Sequence, residues 1–226
     1  MSTPPFYSIG LLYNVLAEPE PAFLGTAFAF RHRSFFVTAG HCIGTLDCDA
    51  IRIVLPLVDE EDLSISSIRH HASADVSLLS TTSTPSLTLE PFSGIGGADN
   101  WGDPIQVLGY PEEASADGVV PTARLLLGTI QRKFTHTSAL GYIYRAGETS
   151  FGAPAGMSGG PVHSPSSLDR VIGVMAENHD STTYLKSVEE VQANGQVYRE
   201  RIHEVIRYGL YVSLSEIADW LEPLTR

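Results

Sequence analysis

Twelve residues restrict this chain more than any others: Phe151-Gly152-Ala153-Pro154-Ala155-Gly156-Met157-Ser158-Gly159-Gly160-Pro161-Val162, four glycines and two prolines around one serine. In a helix interior a glycine costs about 1 kcal/mol and a proline about 3 kcal/mol relative to alanine, and proline lacks the N–H that a strand ladder uses. The segment therefore reads as a tight loop where backbone approaches something closely. Its Gly156-Met157-Ser158 turn is able to aim the amides of Gly156 and Ser158 at one point beside the Ser158 hydroxyl. Acyl transfer needs that layout, a nucleophile with two N–H donors about 3 Å from the forming oxyanion. Taken alone, the segment is equally a glycine-rich surface turn.

The rest of the chain reads as short strands. Ser8 to Val15 is apolar, and Glu18-Pro19-Glu20-Pro21 is a turn. Strands are expected at 23–30 and 35–39, separated by the charged turn Arg31-His32-Arg33, and at 51–55. Asp59-Glu60-Glu61-Asp62 reads as a solvated acidic turn. Strands follow at 63–68, 76–79, 105–110, 123–131, 139–144 and 171–175. Residues 80–103, rich in Ser, Thr, Pro and Gly, read as a long connection. The runs 184–191 and 197–208 flank Ala193-Asn194-Gly195, and Asn-Gly is a strong hairpin signal. A solvent-exposed ribbon is expected there, with a helix pair as the alternative. Ser213-Leu214-Ser215-Glu216 opens a terminal helix with apolar spacing at 214, 217, 220 and 221. Many short strands and one helix indicate an all-β barrel or sandwich.

At 226 residues the chain is long enough to bury a sizeable core. A net charge of −12 argues against nucleic acid and anionic membranes as partners. No apolar run reaches the roughly 18 residues of a membrane span, and the start shows no basic, apolar leader. Two cysteines, Cys42 and Cys48, make no disulfide framework, so a cytoplasmic setting is expected. No metal-site spacing appears among His70, His71, His163 and His179, which are expected at the surface, and no cofactor is implied.

Two further segments carry chemistry. Thr38-Ala39-Gly40-His41-Cys42 closes an apolar strand and projects a histidine from a glycine turn. Ala74-Asp75-Val76-Ser77-Leu78-Leu79 opens an otherwise apolar strand with a carboxylate. A serine hydroxyl is a weak nucleophile near neutral pH and needs a base; histidine has the right pKa. A buried carboxylate holds the imidazole in one tautomer and stabilises the imidazolium that forms. In this reading Ser158 attacks, His41 shuttles the proton and Asp75 orients His41.

These three segments, with Gly156-Met157-Ser158-Gly159-Gly160-Pro161-Val162 as the third, resemble the signatures of the trypsin/chymotrypsin-like serine peptidases. The separations, 34 residues from His41 to Asp75 and 83 from Asp75 to Ser158, are similar to the family's, though slightly compact. Tyr208-Gly209-Leu210-Tyr211-Val212 and the Trp220 helix resemble its final strand and helix. The resemblance implies two perpendicular six-stranded antiparallel β-barrels in one peptidase domain, with the catalytic residues at their junction. The first barrel is expected over 6–82, a linker over 83–103, the second barrel over 104–212 and the helix over 213–223.

Where relatives activated by cleavage carry an aspartate before the serine, this chain has Met157, so no zymogen switch of that kind is expected. That resembles compact bacterial branches, the glutamyl endopeptidase-like and HtrA-like peptidases. The usual partner of Cys42 is missing, so two free thiols are expected. By offset from Ser158 the primary pocket falls at Gly152 and Ala153, uncharged, with Met175 along the wall, Ala176 on the substrate-pairing strand and Asn178 at the mouth. A small or medium apolar residue before the cut is expected. Glu177 and Asp180 either favour basic residues at neighbouring subsites or are simply solvated. The implied partner is a peptide or protein substrate. A regulatory protein that orders the oxyanion loop, and a catalytically silent binding module, are the alternatives.

Overall fold

The computed structural model describes residues 5–57, 61–85, 89–112, 122–191 and 197–225. Asp59 and Glu60 of the acidic turn, the first four residues, and Ala193-Asn194-Gly195 of the hairpin lie outside the described residues.

The first six strands are β1 (Ile9–Asn14), β2 (Ala22–Phe30), β3 (His32–Thr38), β4 (Ile51–Leu55), β5 (Glu61–His70) and β6 (Ser77–Thr81). They close into a barrel in the order β1-β2-β3-β6-β5-β4. Alternation drives this closure: Ile51, Ile53 and Leu55 point inward on β4 while Arg52 and Val54 are only half-buried. The turn between β2 and β3 is tighter than its three charged residues suggest. Arg31 alone makes it, with φ of 58°, and His32 already belongs to β3. After β3 a single helical turn, α1 (Gly40–Ile43), carries the histidine.

The connection to the second half is held along its course. Phe92 donates its N–H to Ala29 O at 3.0 Å and accepts from Arg31 N–H at 2.7 Å. A short strand, β7 (Gly94–Ile95), pairs in parallel with another, Arg170–Val171, which is β12.

The second barrel has β8 (Pro104–Gly109), β9 (Arg124–Thr137), β10 (Ile143–Thr149), β11 (Pro161–His163), β13 (Gly173–Val191) and β14 (Val197–Ser213). Its closed order is β10-β14-β13-β11-β8-β9. The all-β, two-barrel class expected above is the one observed. Strands expected separately at 171–175 and 184–191 are largely one 19-residue strand, β13, running on past the barrel. The sequence reading leaves residues 179–183 without an assignment. Antiparallel pairing with β14, Asn178 opposite Gly209 and Asp180 opposite Arg207, carries the backbone through them. A hairpin forms here rather than a helix pair.

A 3-10 turn (Leu214–Ile217) leads into α2 (Ala218–Leu224), which buries Leu221. One apolar cluster fills the first barrel and continues between the barrels through Leu108, Tyr110, Tyr144, Val212 and Leu221. A smaller one, including Val107, Met157, Val162, Met175 and Tyr211, fills the second. His163 is a correction to the sequence reading: it is fully buried, like Pro161 and Val162 beside it on β11, and its ring lies against Phe92 of the inter-barrel connection at 5.9 Å.

Candidate active site

Strand β3 ends at Thr38, and the first turn of α1 turns His41 out of the barrel wall. Asp75 lies just before β6, 2% exposed. Its Oδ2 meets His41 Nδ1 at 2.7 Å, and its Oδ1 accepts the His41 backbone N–H, also at 2.7 Å. One carboxylate thus fixes both the ring and the main chain of the histidine. With Asp75 ionised, Nδ1 carries the hydrogen, and when the imidazole is neutral Nε2 presents a lone pair. Burial by itself lowers the His41 pKa. The Asp75 hydrogen bond, with the Cys42 sulfur beside the ring, overrides it and raises the imidazole above its usual value.

The Asp75 loop is secured from behind. His71 Nδ1 accepts the Ala74 N–H at 2.8 Å, and the Trp220 ring of α2 meets the His71 ring edge-on at 5.1 Å. The C-terminal helix therefore supports the carboxylate through two intermediaries.

Ser158 sits on the glycine-rich loop, which both barrels hold. Thr26 of β2 donates its N–H to Ser158 O at 2.8 Å and its hydroxyl to Gly156 O at 3.0 Å. The same hydroxyl accepts the Tyr110 N–H at 2.9 Å. From the second barrel, Gly159 donates to Met175 O at 2.7 Å and Glu112 donates to Ala155 O at 2.7 Å. Two glycines are required by this packing. Gly156 (φ 89°) would bring a Cβ within 2.6 Å of Glu112 N, and Gly159 (φ 86°) would drive one into Thr26 O. Among the described residues, the N–H groups of Gly156 and Ser158 donate to no acceptor.

The Ser158 hydroxyl donates to Ala176 O at 2.8 Å. Cys42 Sγ lies 3.7 Å from His41 Nε2 and 3.8 Å from the backbone O of Ser158, and among the described residues no hydrogen bond joins His41 to the Ser158 hydroxyl. Both cysteines are free thiols.

The residues expected at the primary pocket lie close together. Ala153 and Asn178 are tied by a pair of 2.8 Å bonds, Ala153 N–H to Asn178 Oδ1 and Asn178 Nδ2 to Ala153 O. Met175 and Ala176 are 1% exposed. Met175 packs into the second barrel's core, its Cε against Gly209. The methylenes of Arg207 lie over Gly152, where a Cβ would come within 2.7 Å of them. The Arg207 guanidinium pairs with Asp180 at 2.8 Å.

Sequence reasoning did not single out Thr26, whose part depends on contacts 130 residues away. Nor did it place His136 and Tyr144 around Glu177. Glu177 Oε1 accepts from His136 Nε2 at 2.6 Å and from Tyr144 OH at 2.8 Å.

The family model described as a trypsin-like peptidase domain matches residues 25–174, which include all three segments built around His41, Asp75 and Ser158. No curated protein sequence matches the chain. Among solved structures, the active form of the Rv3671c protease from M. tuberculosis superposes with a TM-score of 0.66 at 15% identity, covering 96% of this chain and 81% of that one. The MamO protease domain from Magnetospirillum magneticum, in its apo form, gives 0.65 at 11% identity, with 98% and 99% covered. The HtrA-type protease AlgW with a decapeptide gives 0.60 at 16%, with 97% and 64% covered.

Proposed function

Because the chain belongs to the family of trypsin-like peptidase domains, we propose that it is a serine endopeptidase working through Ser158, His41 and Asp75. The Ser158 hydroxyl leaves Ala176 O and attacks the carbonyl carbon of the scissile peptide while His41 Nε2 takes its proton. Asp75, already bonded to Nδ1, stabilises the imidazolium. The N–H groups of Gly156 and Ser158 receive the oxyanion. Collapse breaks the C–N bond, His41 protonates the departing amine, and an acyl-enzyme on Ser158 remains. Water then attacks with His41 as base, releasing the acid and restoring the serine.

The observation that carries this reading is the double grip of a buried Asp75 on His41. No structural role needs a carboxylate to hold both the Nδ1 and the main chain of a half-exposed histidine. The site is built without cleavage-triggered activation: Met157, preceding the nucleophile, is fully buried among apolar residues and offers nothing to a freed ammonium. Substrates are peptides or proteins with a small or medium uncharged residue before the cut, given the lack of charge at Gly152 and Ala153. Free Cys42 and Cys48 support a reducing, cytoplasmic setting.

A fluorophosphonate probe tests the assignment. Covalent labelling of the wild type, absent in Ser158→Ala, is the expected result; labelling that survives Ser158→Ala overturns it. One observation favours a second reading, in which a partner switches the enzyme on: the Ser158 hydroxyl is engaged by Ala176 O. Labelling that appears only after a partner is added distinguishes that case.

A further inference from the structure

Glu177 lies next to Ala176, whose carbonyl meets the Ser158 hydroxyl. Its carboxylate is used unevenly. Oε1 accepts from both His136 and Tyr144, whereas Oε2 accepts nothing among the described residues. No lysine or arginine pairs with it among the described residues, and its side chain is 31% exposed. A purely structural acceptor for one imidazole and one phenol would not need a charge, since a glutamine carbonyl serves equally. The anchored oxygen fixes the side chain, and the other is left to meet solvent or substrate.

The strand geometry says which part of a substrate it meets. Asn178, clasped to Ala153, stands on the face of β13 that the resemblance assigns to the primary pocket. Successive strand residues point to opposite faces, so Glu177 stands on the other. The register shift between Met175 and Glu177 lies before this pair, and Glu177 and Asn178 are regularly paired with Leu210 and Gly209, so a peptide lying antiparallel to them follows the same alternation: the residue before the scissile bond enters the pocket, and the one before that turns toward Glu177.

Resting on the peptidase reading above, we propose that Glu177 is a specificity-determining residue that selects lysine or arginine at the second position before the cut. His136 and Tyr144 are positioning residues that aim its carboxylate. The contact is an ion pair between the free Oε2 and the substrate cation, at the edge of the groove. A pair that is partly desolvated there supports a preference of about tenfold.

The test uses matched peptides with arginine or glutamine at that position, read by mass spectrometry. The wild type cleaves the arginine peptide with kcat/KM about tenfold higher, and raised salt narrows the gap. Glu177→Gln, which keeps the acceptor for His136 and Tyr144, abolishes the preference. Glu204→Gln, an equal charge change on the exposed face of β14, keeps it. A wild type indifferent to arginine, or a preference surviving Glu177→Gln, overturns the proposal. A second arm does not need turnover: binding of the same peptides to Ser158→Ala protein. If nothing is cleaved and Ser158 is not labelled, the peptidase reading fails. Tighter binding of the arginine peptide, lost on adding Glu177→Gln, still upholds the subsite; equal binding removes it.

Discussion

The hydroxyl of Thr26, in the first barrel, donates to the carbonyl of Gly156, in the loop of the second, at 3.0 Å, and accepts from Tyr110 N–H at 2.9 Å. This one side chain stitches the nucleophile loop to the barrel that carries His41. Thr26→Val keeps the shape and removes both bonds, stranding a buried donor at a cost of about 1–3 kcal/mol. The expected result is a kcat lowered about tenfold or more with KM little changed, and a lower Tm. Thr26→Ser restores both. An unaltered kcat in Thr26→Val would show that the loop holds itself.

Loss of Ser158 or His41 to alanine is expected to lower turnover by roughly 10⁴–10⁶-fold, and Asp75→Asn by about 10⁴-fold through the wrong tautomer. Turnover of a labelled peptide measures all three. His41→Ala with activity intact would remove the base from the scheme.

The pH profile follows from His41. Its pKa is raised, so the imidazole stays protonated to a higher pH than an ordinary histidine and is then unable to accept the serine proton. The acid limb of kcat/KM is expected above the usual value of about 6.5. In Asp75→Asn the largest raising influence is gone, and the limb of the residual activity moves to lower pH. A limb that stays in place in that variant would sever it from the pair.

Met157→Asp tests the absence of a cleavage switch. Met157 is fully buried in the second barrel, and a Cβ at Gly109 would touch its sulfur at 3.1 Å. A carboxylate there would sit in an apolar cluster, and an unpaired buried charge costs on the order of several kcal/mol. The expected outcome is a large fall in Tm, by calorimetry, with no activity regained after trimming of the N-terminus.

His163 sets the acid sensitivity of the fold. It is fully buried, neither ring nitrogen makes a hydrogen bond of good geometry among the described residues, and burial lowers its pKa to about 4 against a weaker opposing pull from the Ser164 backbone. The unfolded chain takes up that proton near pH 6.5, the folded chain only near 4. Stability contributed by neutral His163 is complete above about 6.5 and declines as pH falls toward 4, by roughly 3 kcal/mol at most. His163→Met is expected to flatten the fall of Tm between those limits; an unchanged slope would place the sensitivity elsewhere.

What could be read directly from residues was local. His41, Asp75 and Ser158 each sit where a strand meets a turn, and the turn chemistry is written in adjacent glycines. Glu177 stood out only as a charge, because His136 is 41 positions away and Tyr144 is 33. The continuity of β13 was hidden by its exposed half: a ribbon wet on both faces needs no alternation, so residues 179–183 carried no strand signal. His163 looked superficial because Phe92, the ring that packs against it, is 71 positions away in the chain. Arg207 over Gly152 depends on the register of β13 against β14, which no single segment encodes.

The division of labour between the barrels has a practical corollary. Each barrel closes on its own ladder of backbone bonds, yet neither holds the whole of the proposed catalytic set: His41 and Asp75 belong to one, Ser158 and Ala176 to the other. A molecule with one half melted would keep much of its circular dichroism signal and none of its chemistry. Catalysis is therefore a more sensitive thermometer for this chain than its secondary structure.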